Sequence, residues 1–210
     1  MVAWKWQDWE FSNGCIANGA PHGWRPNPID PDEPTTATYQ ILLGCGSRRE
    51  KLLGHPDSRE WVNRVTLDIE AAHKPDIVHD LNRLPLPFPD NSASEIHAYQ
   101  VLEHCGRQGD AKFFFAQFQD FWRIMIPGGK FFASVPRHDS VWAWGDPSHT
   151  RVIPQESLIF LHQPSYAQVG KTSISDFRAI YSGDFDILAR QNAGEHMIFV
   201  LEAVKPARHA

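Results

Sequence analysis

The feature that most limits the fold is a series of short apolar runs, each closed by glycine or aspartate. "TYQILLGCG" (38–46) is the first, and "NRVTLDIE" (63–70) and "PDIVHDL" (75–81) repeat the pattern with an aspartate at or near the end. "SASEIHAYQVLEH" (92–104) and "KFFASVP" (130–136) supply a fourth and a fifth. Runs of this kind are the signature of buried strands. Between the last two, Ala111, Phe114, Phe115, Phe118, Phe121, Trp122 and Met125 recur at helical spacing on one broad face. Asp110 is placed to cap that helix, and Pro127-Gly128-Gly129 to stop it. Shorter helical pieces are expected in "SRREKLLG" (47–54), one turn or two, and in "DSREW" (57–61). Near the end, "DFDILARQN" (184–192) and "HMIFVLEAVKP" (196–206) read as an antiparallel pair joined by "AGE". Strands alternating with helical connections, followed by a terminal hairpin, predict an open and mainly parallel α/β sheet with covered faces.

The 210 residues suit one domain with a full core, here residues 38–210. Residues 1–37 differ: Trp4, Trp6, Trp9 and Trp24 sit among five prolines, a composition that opposes regular structure. This segment is expected to be an irregular arm pinned on the domain; a lid or an oligomer contact is the alternative. A formal net charge of −5 gives no global pull toward nucleic acid or anionic membrane. Neither a signal peptide nor a membrane-spanning stretch is visible. Cys15, Cys45 and Cys105 are scattered, so neither a disulfide framework nor a thiolate zinc site is indicated. A reduced, cytoplasmic setting is expected.

In open α/β sheets ligands sit beyond the carboxyl ends of the strands, where strand order reverses. The first loop, Gly44-Cys45-Gly46, is therefore the first candidate site. Gly44 and Gly46 suit a tight turn and a close approach of bare backbone to a ligand, but Arg48 follows and no further glycine comes until Gly54. A dinucleotide pyrophosphate needs the third glycine for close helix–strand packing; a ligand without phosphates relaxes that need. S-adenosylmethionine is such a ligand. Asp68 closes the second strand 22 residues beyond Gly46, about the ~20-residue offset at which an acid accepts from ribose hydroxyls. Asp80 closes the third and is placed to accept from an adenine amino group, with the Leu81 N–H beside it. The plainer alternative makes both aspartates strand-end caps and the glycines a simple tight turn.

Taken in order, "LLGCGSRREKLLG", "WVNRVTLDIE", "DIVHDLNRLPLPFPDNSASEIHAYQVLEH" and "FWRIMIPGGKFFASVP" resemble the class I S-adenosylmethionine-dependent methyltransferases over roughly residues 40 to 136. The resemblance implies a three-layer Rossmann-like sandwich whose mostly parallel seven-stranded sheet has an antiparallel C-terminal hairpin strand. It further implies cofactor-binding roles for Gly44, Cys45, Gly46, Asp68, Ile69, Asp80 and Leu81, with Tyr99 and Gln100 forming a wall beside the sulfonium. Two positions depart from the pattern: Leu42 stands where many relatives carry an acid, and Arg48 where a third glycine is frequent. These departures keep open a methyltransferase-like interaction module. An NAD-dependent reductase is disfavoured by the missing glycine and the terminal hairpin.

Methyl transfer from a sulfonium releases a neutral leaving group, so the protein mainly aligns the acceptor and excludes water. Oxygen acceptors usually need a base as well. "RHDSVWAWGDPSHTRVIPQESLIFL" lies in an expected lid or substrate insertion (137–184), with His149 as first candidate for a base or substrate anchor and His138 as second. Pro154 is placed to open a lid helix. His104 is expected to buttress the fourth strand's loop. No metalloprotease, paired-cysteine zinc, P-loop or serine-hydrolase motif occurs, and no metal site is indicated. The expected partner is a small-molecule or sugar acceptor, with S-adenosylhomocysteine as product and a homo-oligomer through the arm as a further possibility.

Overall fold

The computed structural model describes residues 38–54 and 60–208; the tryptophan-rich arm and most of "DSREW" lie outside the described residues. Among the described residues, seven strands form one sheet: β1 (Tyr39–Leu43), β2 (Arg64–Asp68), β3 (Ile77–Val78), β4 (Ala93–Tyr99), β5 (Met125–Pro136), β6 (Phe185–Ala193) and β7 (His196–Ala203). Their spatial order is β3-β2-β1-β4-β5-β7-β6. The first five pair in parallel, and β7 enters antiparallel between β5 and β6. The α/β class, the mostly parallel sheet and the terminal hairpin are all as the sequence predicts. Strand order reverses between β1 and β4, which makes their carboxyl ends the place for a ligand. No helix among the described residues is long and apolar enough to cross a membrane.

Register explains the two faces. Ile41 pairs with Val65 and Ile96, Ile96 with Phe131, and Phe131 with Leu201. These residues, with Leu43, Leu67, Ala98, Ala133 and Phe199, build the main core, onto which α1 (Ala111–Ile124) packs Phe115, Phe118, Phe121 and Ile124. Asp110 caps α1 by accepting from the Phe113 N–H at 3.0 Å. Strand side chains alternate, so the next row, Leu42, Thr66, His97, Phe132 and Val200, belongs to the opposite face. Among the described residues, that face carries a small apolar cluster of Leu53, Phe132, Ile198 and Val200.

Several local expectations are corrected. Helix α1 ends at Ile124, because Met125 is already extended and pairs with Ala93; β5 thus begins before Pro127-Gly128-Gly129. "SRREKLLG" forms no helix. The Arg49 guanidinium donates to the carbonyls of Cys45, Gly46 and Arg48, the groups a first helical turn would use for its own N–H partners. The third strand shrinks to two residues, and the segment expected as a lid helix forms a 3₁₀ stretch (Gln155–Leu161) with Pro154 at its N-cap rather than an α-helix. A short helix α2 (Val141–Gly145) precedes it, with Ser140 Oγ accepting from the Trp142 N–H.

Candidate functional site

The loop after β1 owes its shape to two left-handed glycines, Gly44 (φ +56°) and Gly46 (φ +50°). At Gly44 a Cβ would stand 2.2 Å from Val101 Cγ2, so glycine is what lets the ends of β1 and β4 close together. At Gly46 a Cβ would meet open space, and only the backbone angle demands glycine. Asp68 holds the loop from below. Its Oδ2 accepts from the Gly46 N–H at 2.7 Å, and its Oδ1 from the Glu70 N–H at 2.8 Å with His73 Nδ1 at 3.3 Å. Burial would raise this carboxyl's pKa, but the Glu70 and Gly46 N–H groups and His73 outweigh it and hold the acid below its ordinary value. Arg49 fastens the other side, donating to the Gly46 carbonyl at 2.6 Å and the His73 carbonyl at 2.7 Å.

Beside the loop lies a cavity of about 830 Å³, bounded by the ends of β1, β4 and β5 and by the β6–β7 turn. That is within the range of roughly 300–1,000 Å³ usual for small-molecule sites. Five expected cofactor residues line it together: Gly44, Cys45, Gly46, Tyr99 and Gln100. So do both departures from the family pattern, Leu42 and Arg48. Gln100 takes the left-handed conformation (φ +51°), anchored by its N–H on the Ser134 carbonyl at 2.8 Å and by its side chain on Ser134 Oγ. The other four expected residues lie outside this lining. Asp68 sits beneath the loop, and Ile69 beside it is 66% exposed. Asp80 turns onto the Asn82 N–H, which holds its pKa low, and the Leu81 side chain is in the main core.

The polar face of the sheet carries a connected network that the sequence reading missed. Tyr99 Oη accepts from the N–H groups of Leu52 and Leu53 at 3.2 and 3.1 Å and lies 2.6 Å from His97 Nδ1. With both acceptor positions taken, the phenol proton goes to His97 Nδ1, and His97 Nε2–H donates to Glu95 Oε2 at 2.9 Å. Lys51 Nζ meets the same Glu95 oxygen at 2.6 Å. Burial lowers the His97 pKa, consistent with this neutral tautomer. The network fixes Leu52 and Leu53, which are walls of the cavity, onto β4.

Neither sequence candidate for catalysis lines the cavity. His138 is exposed, its carbonyl taken by Trp144 Nε1 at 3.0 Å. His149 packs edge-on against His104, with ring centroids 4.8 Å apart, close to the carboxyl group of Glu103. Burial pushes Glu103 up to about 7, with the Arg151 charge opposing. The histidine that does line the cavity is His196, at the start of β7; burial lowers its pKa below the ordinary 6.5, and its Nδ1 has no partner. In the sequence it reads only as the first residue of a strand.

No family model and no curated protein matches the sequence. Solved structures do. A chain of the complex between the Haloferax volcanii Trm112 methyltransferase activator and a methyltransferase superposes with a TM-score of 0.52 at 14% identity, over 84% of this chain and 86% of that one. A SAM-dependent methyltransferase from Archaeoglobus fulgidus gives 0.48 at 12% identity, over 80% and 86%. The N-methyltransferase NodS from Bradyrhizobium japonicum gives 0.46 at 12%, over 80% and 86%. The first likeness, together with the strand order, establishes the class I methyltransferase fold.

The two glycines are expected to respond differently. Gly46→Ala adds only left-handed strain, about 1–2 kcal/mol, whereas Gly44→Ala adds the collision with Val101 and costs more; urea unfolding of the two variants measures the difference. Asp68 gives a pH test. Its folded pKa lies below its unfolded value, so its contribution is present above the ordinary carboxyl pKa and is lost as pH falls through the folded one. The stability gap between wild type and Asp68→Asn is therefore expected to narrow on acidification below pH 3.8, as read by unfolding curves across pH.

Proposed function

We propose that this chain is an S-adenosylmethionine-dependent methyltransferase whose cavity beside Gly44–Gly46 takes the methionine end of the cofactor and the methyl acceptor. The observation that carries this reading is the bare backbone of a two-glycine loop at the strand-order reversal, opening on a cavity of ligand size. Leu42 leaves the cofactor's ammonium without the acid many relatives offer; Glu50, also on the lining, is an alternative partner. Arg48 projects from the same lining and suits the cofactor's carboxylate. Asp68 Oδ1 is shared by the Glu70 N–H and His73, whereas Oδ2 takes only the Gly46 N–H and retains a lone pair for a ribose hydroxyl. The His79 N–H donates to the Asp68 carbonyl at 2.9 Å, which keeps Asp80 and the Leu81 N–H next to that ribose for an adenine edge, with Ile69 as an apolar neighbour.

The reaction is an in-line displacement. Gln100 and Ser134 fix the rim against which an acceptor aligns, and the apolar walls Leu52, Leu53 and Ile198 exclude water. His196, kept neutral by burial, suits the role of proton acceptor for a hydroxyl of a small molecule or sugar. A second reading, an interaction module, is favoured by the exposed apolar residues Val141, Trp142 and Trp144 on α2 (60–74% exposed). Calorimetry separates the two. The enzyme reading expects S-adenosylhomocysteine to bind wild type with one site and Arg48→Ala more weakly. Absence of binding by folded wild-type protein would overturn it in favour of the module.

A further inference from the structure

The turn after β4 and the segment after α2 bring Glu103, His104 and His149 together, with one potential ligand atom from each within 4.8 Å of the others. Glu103 is 2% exposed, yet neither of its carboxylate oxygens has a hydrogen-bond partner. Its carbonyl is engaged instead, accepting from the N–H groups of Thr150 and Arg151 at 2.9 and 3.2 Å. The nearby Arg151 charge favours the carboxylate but gives it no hydrogen bond. Arg151 Nε donates to the Leu102 carbonyl at 2.8 Å and its Nη2 to Gln117 Oε1. His149 Nδ1 is also buried without a partner. A buried carboxyl group and a buried imidazole nitrogen, both unsatisfied and side by side, each carry an uncompensated desolvation cost.

We propose that Glu103, His104 and His149 form a binding site for one divalent first-row transition-metal ion. Two imidazoles and one carboxylate are the donors such ions prefer, whereas magnesium and calcium favour all-oxygen sets. The surroundings set the donor atoms. A carbonyl only accepts, so His104 Nδ1, 3.3 Å from the Ser148 carbonyl, carries the proton and leaves Nε2 with its lone pair. On His149, Nε2 faces Asp146 Oδ2 at 3.8 Å and Nδ1 is the free nitrogen. Asp146, itself held by the N–H and hydroxyl of Ser148, places a carboxylate near the imidazole without a hydrogen bond to it. Three protein ligands leave at least one coordination position open. The sequence conceals this set, because Glu103-His104 and His149 lie on different segments and match no spaced-ligand motif.

The test titrates Co²⁺, followed by its visible ligand-field absorption, and Zn²⁺, followed by calorimetry and thermal melting, into chelator-treated full-length protein. Wild type is expected to take one equivalent of either ion and to melt at a higher temperature with Zn²⁺. Glu103→Gln and His149→Ala are each expected to weaken binding by more than the about ten- to hundredfold that loss of a supporting group costs, and to lose the Zn²⁺-induced melting shift. Without metal, Glu103→Gln is expected to be at least as stable as wild type, because it removes an unpartnered buried carboxyl. The proposal is overturned if wild type binds neither ion at micromolar concentrations. It is equally overturned if both folded variants bind as well as wild type.

Discussion

The functional end of this sheet depends on one buried carboxylate. Asp68 accepts from the Gly46 N–H with one oxygen and from the Glu70 N–H with the other, at 2.7 and 2.8 Å. Hydrogen bonds to an ionised carboxylate are short and strong, and here they join the loop after β1 to the turn after β2. Arg49 closes the same gap from the carbonyl side, spanning Gly46 and His73. Anchored in this way, the loop lines the cavity at Gly44, Cys45 and Gly46, with the Cβ direction of Gly44 filled by Val101 and that of Gly46 open.

The opposite wall is built on a different principle. Among the described residues, no α-helix follows β1, β2 or β3, so the loop carrying Leu52 and Leu53 has no helix to position it. A proton-ordered chain does so instead, from Lys51 through Glu95 and His97 to Tyr99 and back to the loop's N–H groups. The links satisfy both nitrogens of the buried His97 and the Tyr99 hydroxyl. The Trp61 ring packs edge-on to His97 and Phe132 stacks on it, so the central imidazole lies against aromatic surface. Tyr99 therefore belongs to the cavity wall both as a lining residue and as the pin that holds its neighbours.

What the sequence disclosed follows from periodicity. Strand runs, the Phe-rich stripe of α1 and the "AGE" hairpin turn announce themselves through spacing that is local in the chain. The loop glycines were legible for the same reason, since two glycines one residue apart after an apolar run mark a tight turn. What stayed hidden is set by tertiary contact. Arg49 looks like one charge in a solvated "SRRE" turn, yet it occupies the carbonyls a helix would need. His149 looks like a lid histidine, and only folding puts it beside Glu103 and His104. His196 looks like a strand residue until β7 places it at the cavity rim. Asp68 ends its strand as expected, whereas β3 stops at Val78 and leaves Asp80 beyond it; hydrogen-bonding places Asp68 beneath the loop and Asp80 in its own turn.

These parts make one physical claim: the bare loop and the wall pinned by Tyr99 form the two sides of a single nucleoside-amino-acid site. A crystal structure of the protein with S-adenosylhomocysteine tests it most directly. The account predicts the homocysteine tail along Gly44–Gly46, its sulfur facing Tyr99 and Gln100, and the ribose reaching Asp68. Density for the ligand elsewhere on the molecule, with this cavity holding only solvent, would contradict it.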